Sequence, residues 1–374
     1  MSPRLFGLFI ACAIVVLAVA AVAVALTRSD GAPPGAIPPP APRGTIPIAV
    51  LGDSNSHSYQ DSLTFPPGGR ERGGALHDRT FQWTEVLARL RGNELDLGPW
   101  LHWGRPWWSA WARNLVGLLP SRTPIKQDYL YNFANSGAAC KNLMGDGLGF
   151  RYPQVPRLLA LMKEQPTRWQ NGVVVIYIGA NDWNAYLDVM ARDPQAPELR
   201  RVIDYCTQQI NRSIEAIHAA QPSVRILIAG MTNQGDDPVE QDKYRDATSP
   251  PNIRKALASA NDAFRKIAEA DPKRIAFFDS DAWAVERWGI RGPNGEPDFK
   301  SVRLGHLTVT HTQGDEPSNT MLADDHAGLV WNVLWAQSII ARLRDAFGLP
   351  LTPISDDEAA RFVDAVAARP QPAS

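Results

Sequence analysis

Short apolar runs and longer amphipathic stretches alternate along most of this chain. "IPIAVLG" (46–52), "GVVVIYIGAND" (172–182), "RILIAGM" (225–231) and "RIAFFD" (274–279) are apolar runs too short for helices, as expected of strands buried on both faces. "YLYNFANSG" (129–137) predicts a further strand. Between these lie "TFQWTEVLARLRG" (80–92), "VPRLLALMKEQ" (155–165), residues 198–220, residues 253–270 and "GLVWNVLWAQSIIARLRDAFG" (328–348), which read as helices. The alternation predicts a parallel sheet flanked by helices on both sides. In such a sheet the functional crevice lies at the carboxyl ends of the strands.

Three stretches break the pattern. Residues 60–79, rich in Gly, Pro and Arg, read as a loop. Residues 97–125 carry Trp100, Trp103, Trp107, Trp108 and Trp111. Residues 290–320 include "KSVRLGHLTVT", which alternates like a hairpin. Each is read as an insertion able to shape a substrate site. The tryptophans admit three readings: a satellite core under a long loop, stacking on sugar rings, or contact with a membrane interface.

The amino-terminal end differs in kind. Leu5 to Leu26 is an uncharged apolar run of about the length a bilayer core requires. It predicts a signal-anchor with the bulk of the chain exported, a cleaved signal peptide being the alternative. "SDGAPPGAIPPPAPRG" (29–44) predicts an extended proline-rich spacer. The expected organisation is therefore a membrane helix over residues 1–28, a linker over 29–44, a catalytic domain over 45–350, and a terminal helix and tail over 351–374. A net charge of −1 with no basic stripe excludes a nucleic-acid footprint. Export would let Cys140 and Cys206 pair, but two unpaired buried thiols fit the sequence equally well.

Polar groups stand where the strands end. The first strand ends in Gly52-Asp53-Ser54-Asn55, the second in Asn135-Ser136-Gly137, and the third in Gly179-Ala180-Asn181-Asp182. "LADDHAG", with Asp324, Asp325 and His326, precedes the last long helix. Ester hydrolysis needs a nucleophile on a rigid turn, a base, and donors aimed at a developing oxyanion. Ser54 suits the first role and His326 the second. The amides of Ser54 and Gly137 and the side-chain amide of Asn181 suit the third.

In this order, Gly52-Asp53-Ser54, Gly137, Gly179-Ala180-Asn181-Asp182 and His326 resemble the four blocks of the SGNH/GDSL hydrolase superfamily, over about residues 46–347. The resemblance implies an α/β fold, a three-layer α/β/α sandwich around a five-stranded, mostly parallel sheet of flavodoxin-like type. It implies Ser54 as nucleophile, His326 as base and an oxyanion hole of Ser54 N–H, Gly137 N–H and Asn181 Nδ2, with no metal or cofactor. The family's usual Asp-x-x-His block would place the acid at 323, where Ala323 stands. Asp324, two residues before the histidine, is the preferred acid, Asp325 the lesser candidate, and a backbone carbonyl can also orient the histidine. The expected activity is hydrolysis of an acyl ester, O-acetyl on carbohydrate ahead of lipid, by a protein held at a membrane through its N-terminal helix. An acyltransferase using the same residues and a non-catalytic glycan-binding module are the alternatives.

Other features have plainer readings. A G-x-S-x-G elbow would need glycine at position 56, where Ser56 stands. Asp182 is read as organising the loop around Ser54. His57 is read as a local structural histidine, with substrate contact as its alternative. His306 and His311 lie five apart in a hairpin, a poor spacing for a metal pair.

Overall fold

A computed structural model describes residues 44–104, 125–145 and 153–370. The apolar segment 5–26 and the linker up to residue 43 lie outside the described residues, as do Trp107, Trp108 and Trp111. Among the described residues no helix is long and apolar enough to cross a membrane.

Five strands form the central sheet: β1 (Ile46–Gly52), β2 (Leu95–Asp96), β5 (Val173–Tyr177), β6 (Arg225–Ala229) and β7 (Ile275–Phe278). Their order is β2-β1-β5-β6-β7, and every pairing is parallel. Side chains of a strand alternate between its faces, and here both faces are apolar. Ala49, Leu51, Val174, Ile176, Ile226 and Ile228 point into one core, and Ile48, Val50, Val173, Val175, Leu227 and Ala229 into the other. Helices α2 (Gln154–Glu164), α3 (Pro197–Ala220) and α4 (Ser249–Ala270) close the first face. The second is closed by α1 (Trp83–Arg91), α5 (Ser280–Trp288), α6 (Leu329–Phe347) and α7 (Asp356–Ala367). The terminal helix α7 thus packs on the same core, burying Ala359, Val363 and Val366, while Arg91 pairs with its Glu358 at 2.7 Å.

The segment 129–137 departs from the predicted strand. Only Lys126–Tyr129 is a strand, β4, and it pairs antiparallel with β3 (Trp100–Trp103) in a separate ribbon. Beyond it the backbone touches β1 through Val50 N to Tyr131 O and Phe133 N to Val50 O. The buried Asn132 side chain then donates to Ser56 O and accepts from Ala134 N. A side chain that takes main-chain partners in this way interrupts a ladder. The hairpin expected near 300 is present as β8 (Val302–Leu304) and β9 (Leu307–Gln313), antiparallel, followed by β10 (Asn319–Met321).

Candidate active site

The turn bearing Ser54 is held from below. Gly52 exchanges two 2.8 Å hydrogen bonds with the side-chain amide of the buried Gln154. A Cβ on Gly52 would lie 2.5 Å from Tyr177 O, so only glycine lets β1 and β5 approach here. Asp53 is buried and accepts from Asn55 N at 2.9 Å. Burial, aided by the charge of Asp182, pushes its carboxyl up to about 7, against the pull of the Asn55, Ala180 and Gly179 amides. The α1 capping box completes the support. Gln82 Nε2 donates to Ser54 O, and the Glu85 carboxylate takes the amides of Tyr59, Gln60 and Gln82. Ser54 itself is half-buried.

The other expected oxyanion donors lie on two turns that are tied to each other. Gly137 is exposed, has φ 75°, and a Cβ there would meet nothing within 4 Å. Asn181 Nδ2 donates one of its two hydrogens to Ala138 O at 2.8 Å. Asp182 accepts from Cys140 N at 2.8 Å and so fastens the Asn181 turn to the segment behind Gly137. Cys140 and Cys206 form a disulfide, with Cα atoms 5.2 Å apart, that anchors this segment to α3. Asp182 and these two sulfurs lie within 4.8 Å of one another. Since the disulfide consumes both thiols, the group offers a metal only one carboxylate.

His326 sits on a tight turn in which Leu322 N donates to His326 O and Asp325 N to Leu322 O. Tyr59 Oη donates to Ala327 O at 3.0 Å, drawing this turn to the one that carries Ser54. Among the described residues no hydrogen bond joins Ser54 Oγ to His326. The histidine's Nδ1 lies 2.7 Å from the main-chain oxygen of Asp324 and 3.4 Å from its Oδ1. Asp325, at φ 64°, turns away and takes Gln313 Nε2 instead. Of the two aspartates, the structure thus brings Asp324 to His326. Burial alone would raise the Asp324 carboxyl. The hydrogen bond to His326 and the Arg72 charge outweigh it and hold the group well below the usual carboxylate range.

Two residues beside the site have no role assigned from the sequence. Arg72, from the 60–79 loop, is 1 % exposed and donates to Asp324 Oδ2 through both its main-chain N and Nη1. Nothing in the sequence separates it from exposed Arg70. Ser136 is exposed, with its Oγ 3.2 Å from His57 Nδ1, while His57 Nε2 lies 2.9 Å from Asp61 Oδ2. That arrangement has the outline of a second triad. However, His57 Nδ1 also accepts the Ser136 amide at 3.2 Å. Burial, then the Lys126 charge, pushes His57 down to about 4 despite Asp61. So weak a proton acceptor is poorly matched to general-base work near neutral pH, and its bonds to Ser136 N and Oγ make His57 an anchor of the Ser136–Gly137 loop. His306 is exposed in its turn, whereas His311 bonds Asp236 O at 2.9 Å, so the two form no pair.

The GDSL-like lipase/acylhydrolase family model matches residues 48–298. Among solved structures, a Clostridium thermocellum family 3 carbohydrate esterase is similar at 14% identity and TM-score 0.38, over 80% of this chain and 96% of that one. The lipase Lip_vut3 from a goat rumen metagenome shows 14% identity and TM-score 0.34, over 64% and 82%. A catalytic mutant of an acetylxylan esterase from Geobacillus stearothermophilus shows 10% identity and TM-score 0.35, over 80% and 95%. At such scores these likenesses carry no argument about substrate. No curated protein matches the chain.

Proposed function

The chain belongs to the GDSL-like lipase/acylhydrolase family and is a carboxylic ester hydrolase; on that premise we propose that Ser54 is its nucleophile and His326 its base. Ser54 Oγ attacks the acyl carbon and passes its proton to His326 Nε2, which returns it to the leaving alcohol. Ser54 N, Gly137 N and Asn181 Nδ2 receive the oxyanion. Each such donor contributes about 10²–10³ in kcat. Water then attacks the acyl-enzyme with His326 again as base. The observation that carries this reading is the seat of His326, whose turn is tied by Tyr59 to the Ser54 turn and whose Nδ1 faces Asp324.

For substrate we propose an O-acetyl ester on carbohydrate, handled outside the cytoplasm. The apolar 5–26 segment supports export and anchoring, and the Cys140–Cys206 disulfide suits an oxidising compartment. The tryptophan-rich insertion supports a sugar-stacking surface.

The test is p-nitrophenyl acetate hydrolysis by the full chain beside Ser54→Ala, with a serine-directed fluorophosphonate mapped by peptide mass. Turnover and labelling both confined to Ser54 are expected; label on Ser136, or turnover indifferent to Ser54→Ala, refutes the assignment. A panel of acetylated glycans and lysophospholipids in which only the lipids react would reverse the substrate ranking. Competition between water and sugar acceptors separates hydrolysis from acyl transfer.

A further inference from the structure

We propose that Arg72 is a positioning residue that locks the base loop to the oxyanion loop, an inference resting on the roles just given to Ser54 and His326. Its guanidinium reaches two separate pieces of the site. Nη1 bonds Asp324 Oδ2 and lies 2.9 Å from His326 Nδ1, while Nη2 donates to Ser136 Oγ at 3.3 Å. Ser136 in turn hands its main-chain N–H to His57, which Asp61 fixes. A chain of polar contacts therefore runs from Asp61 through His57, Ser136 and Arg72 to Asp324 and His326. It spans the crevice from the residue before Gly137 to the base.

The fork is what makes this possible. Guanidinium presents its two η nitrogens at a fixed angle, whereas an ammonium is a point charge that must choose one loop. The plane is wedged by aromatic rings, with Cζ 4.2 Å from the Phe65 centroid and 5.3 Å from that of Tyr59. The backbone is built to present it. Arg72 has φ 51°, Gly73 and Gly74 follow at 94° and 53°, and Thr80 Oγ1 holds Arg72 O at 2.8 Å. Arg72 and Asp325 are the two non-glycine residues with positive φ among those described, and they flank the two sides of Asp324. Unfavourable backbone conformations persist where the surroundings over-determine them, and they gather at functional sites.

Misplacing a base or an oxyanion donor by about 1 Å costs on the order of 10² in rate. The Arg72→Gly variant keeps the positive φ and opens a guanidinium-sized hole. On p-nitrophenyl acetate its kcat should fall about 10- to 100-fold with KM within about threefold. Millimolar guanidinium, far below denaturing levels, should restore at least tenfold, and methylammonium should not. Arg72→Lys should keep the melting temperature but not kcat. Unchanged kcat in Arg72→Gly, a loss confined to KM, or failure of guanidinium to rescue a variant that still melts cooperatively would each overturn the proposal. Wild-type turnover no faster than Ser54→Ala would instead remove the parent reading, and this inference with it.

Discussion

Asp324 meets His326 twice: its main-chain oxygen stands 2.7 Å from Nδ1, and its carboxylate Oδ1 stands 3.4 Å from the same atom. Both contacts call for a proton on Nδ1, the tautomer that leaves Nε2 free to accept from a serine. Arg72 Nη1, 2.9 Å from Nδ1, is itself a donor and is satisfied there only by the opposite tautomer. The carboxylate that occupies Nη1 therefore decides which demand His326 obeys.

Asp324→Ala should lower kcat by about 10³ or more, because Arg72 is then free to hold Nδ1 as an acceptor. The double variant Arg72→Gly/Asp324→Ala should be no slower than Asp324→Ala alone, whereas independent sites would multiply their losses. Asp325→Asn, altering a side chain that faces Gln313, should stay within about threefold of wild type. A double variant slower by the product of the singles would refute the coupling.

Acid should weaken the protein through His57. In the unfolded chain this histidine takes a proton near 6.5, but burial keeps it neutral in the fold until about 4. Its contribution is thus fully present above pH 6.5 and is lost as pH falls towards 4. At pH 5 the difference amounts to about 2 kcal/mol. Urea midpoints at pH 7 and 5 should drop further for wild type than for His57→Gln; equal drops would show that His57 is not the group responsible.

The disulfide closes 66 residues of chain. A loop of that size limits the unfolded ensemble by about 4 kcal/mol. Cys140→Ser/Cys206→Ser should therefore lower the calorimetric melting temperature by several degrees. Because Cys140 N also holds Asp182, kcat should fall with little change in KM. An unshifted melt would contradict this account.

Much of the fold is legible because a strand buried on both faces must be a continuous apolar run, and β1, β5, β6 and β7 all are. The fifth strand escapes: Leu95–Asp96 is two residues long and carries no periodicity. The strand reading of 129–137 fails for a related reason, since Asn132 spends its amide on backbone partners that pattern alone cannot reveal. In the site, Ser54 and Asn181 follow buried strands and His326 precedes a long helix, where polar residues beside apolar runs are conspicuous. Arg72 does not. It lies in a Gly- and Arg-rich loop and finds its partner 252 residues away, a distance over which no local pattern operates.

That separation also bears on synthesis. At roughly 5–20 residues per second, a ribosome that has just added Arg72 needs on the order of 10–50 seconds more to deliver Asp324. For that interval the nascent chain carries the serine turn, and from Gly137 onward the glycine loop as well, without the aspartate and histidine proposed to serve them. Half a crevice cannot turn over an ester, so the proposed centre can assemble only after His326 has been made.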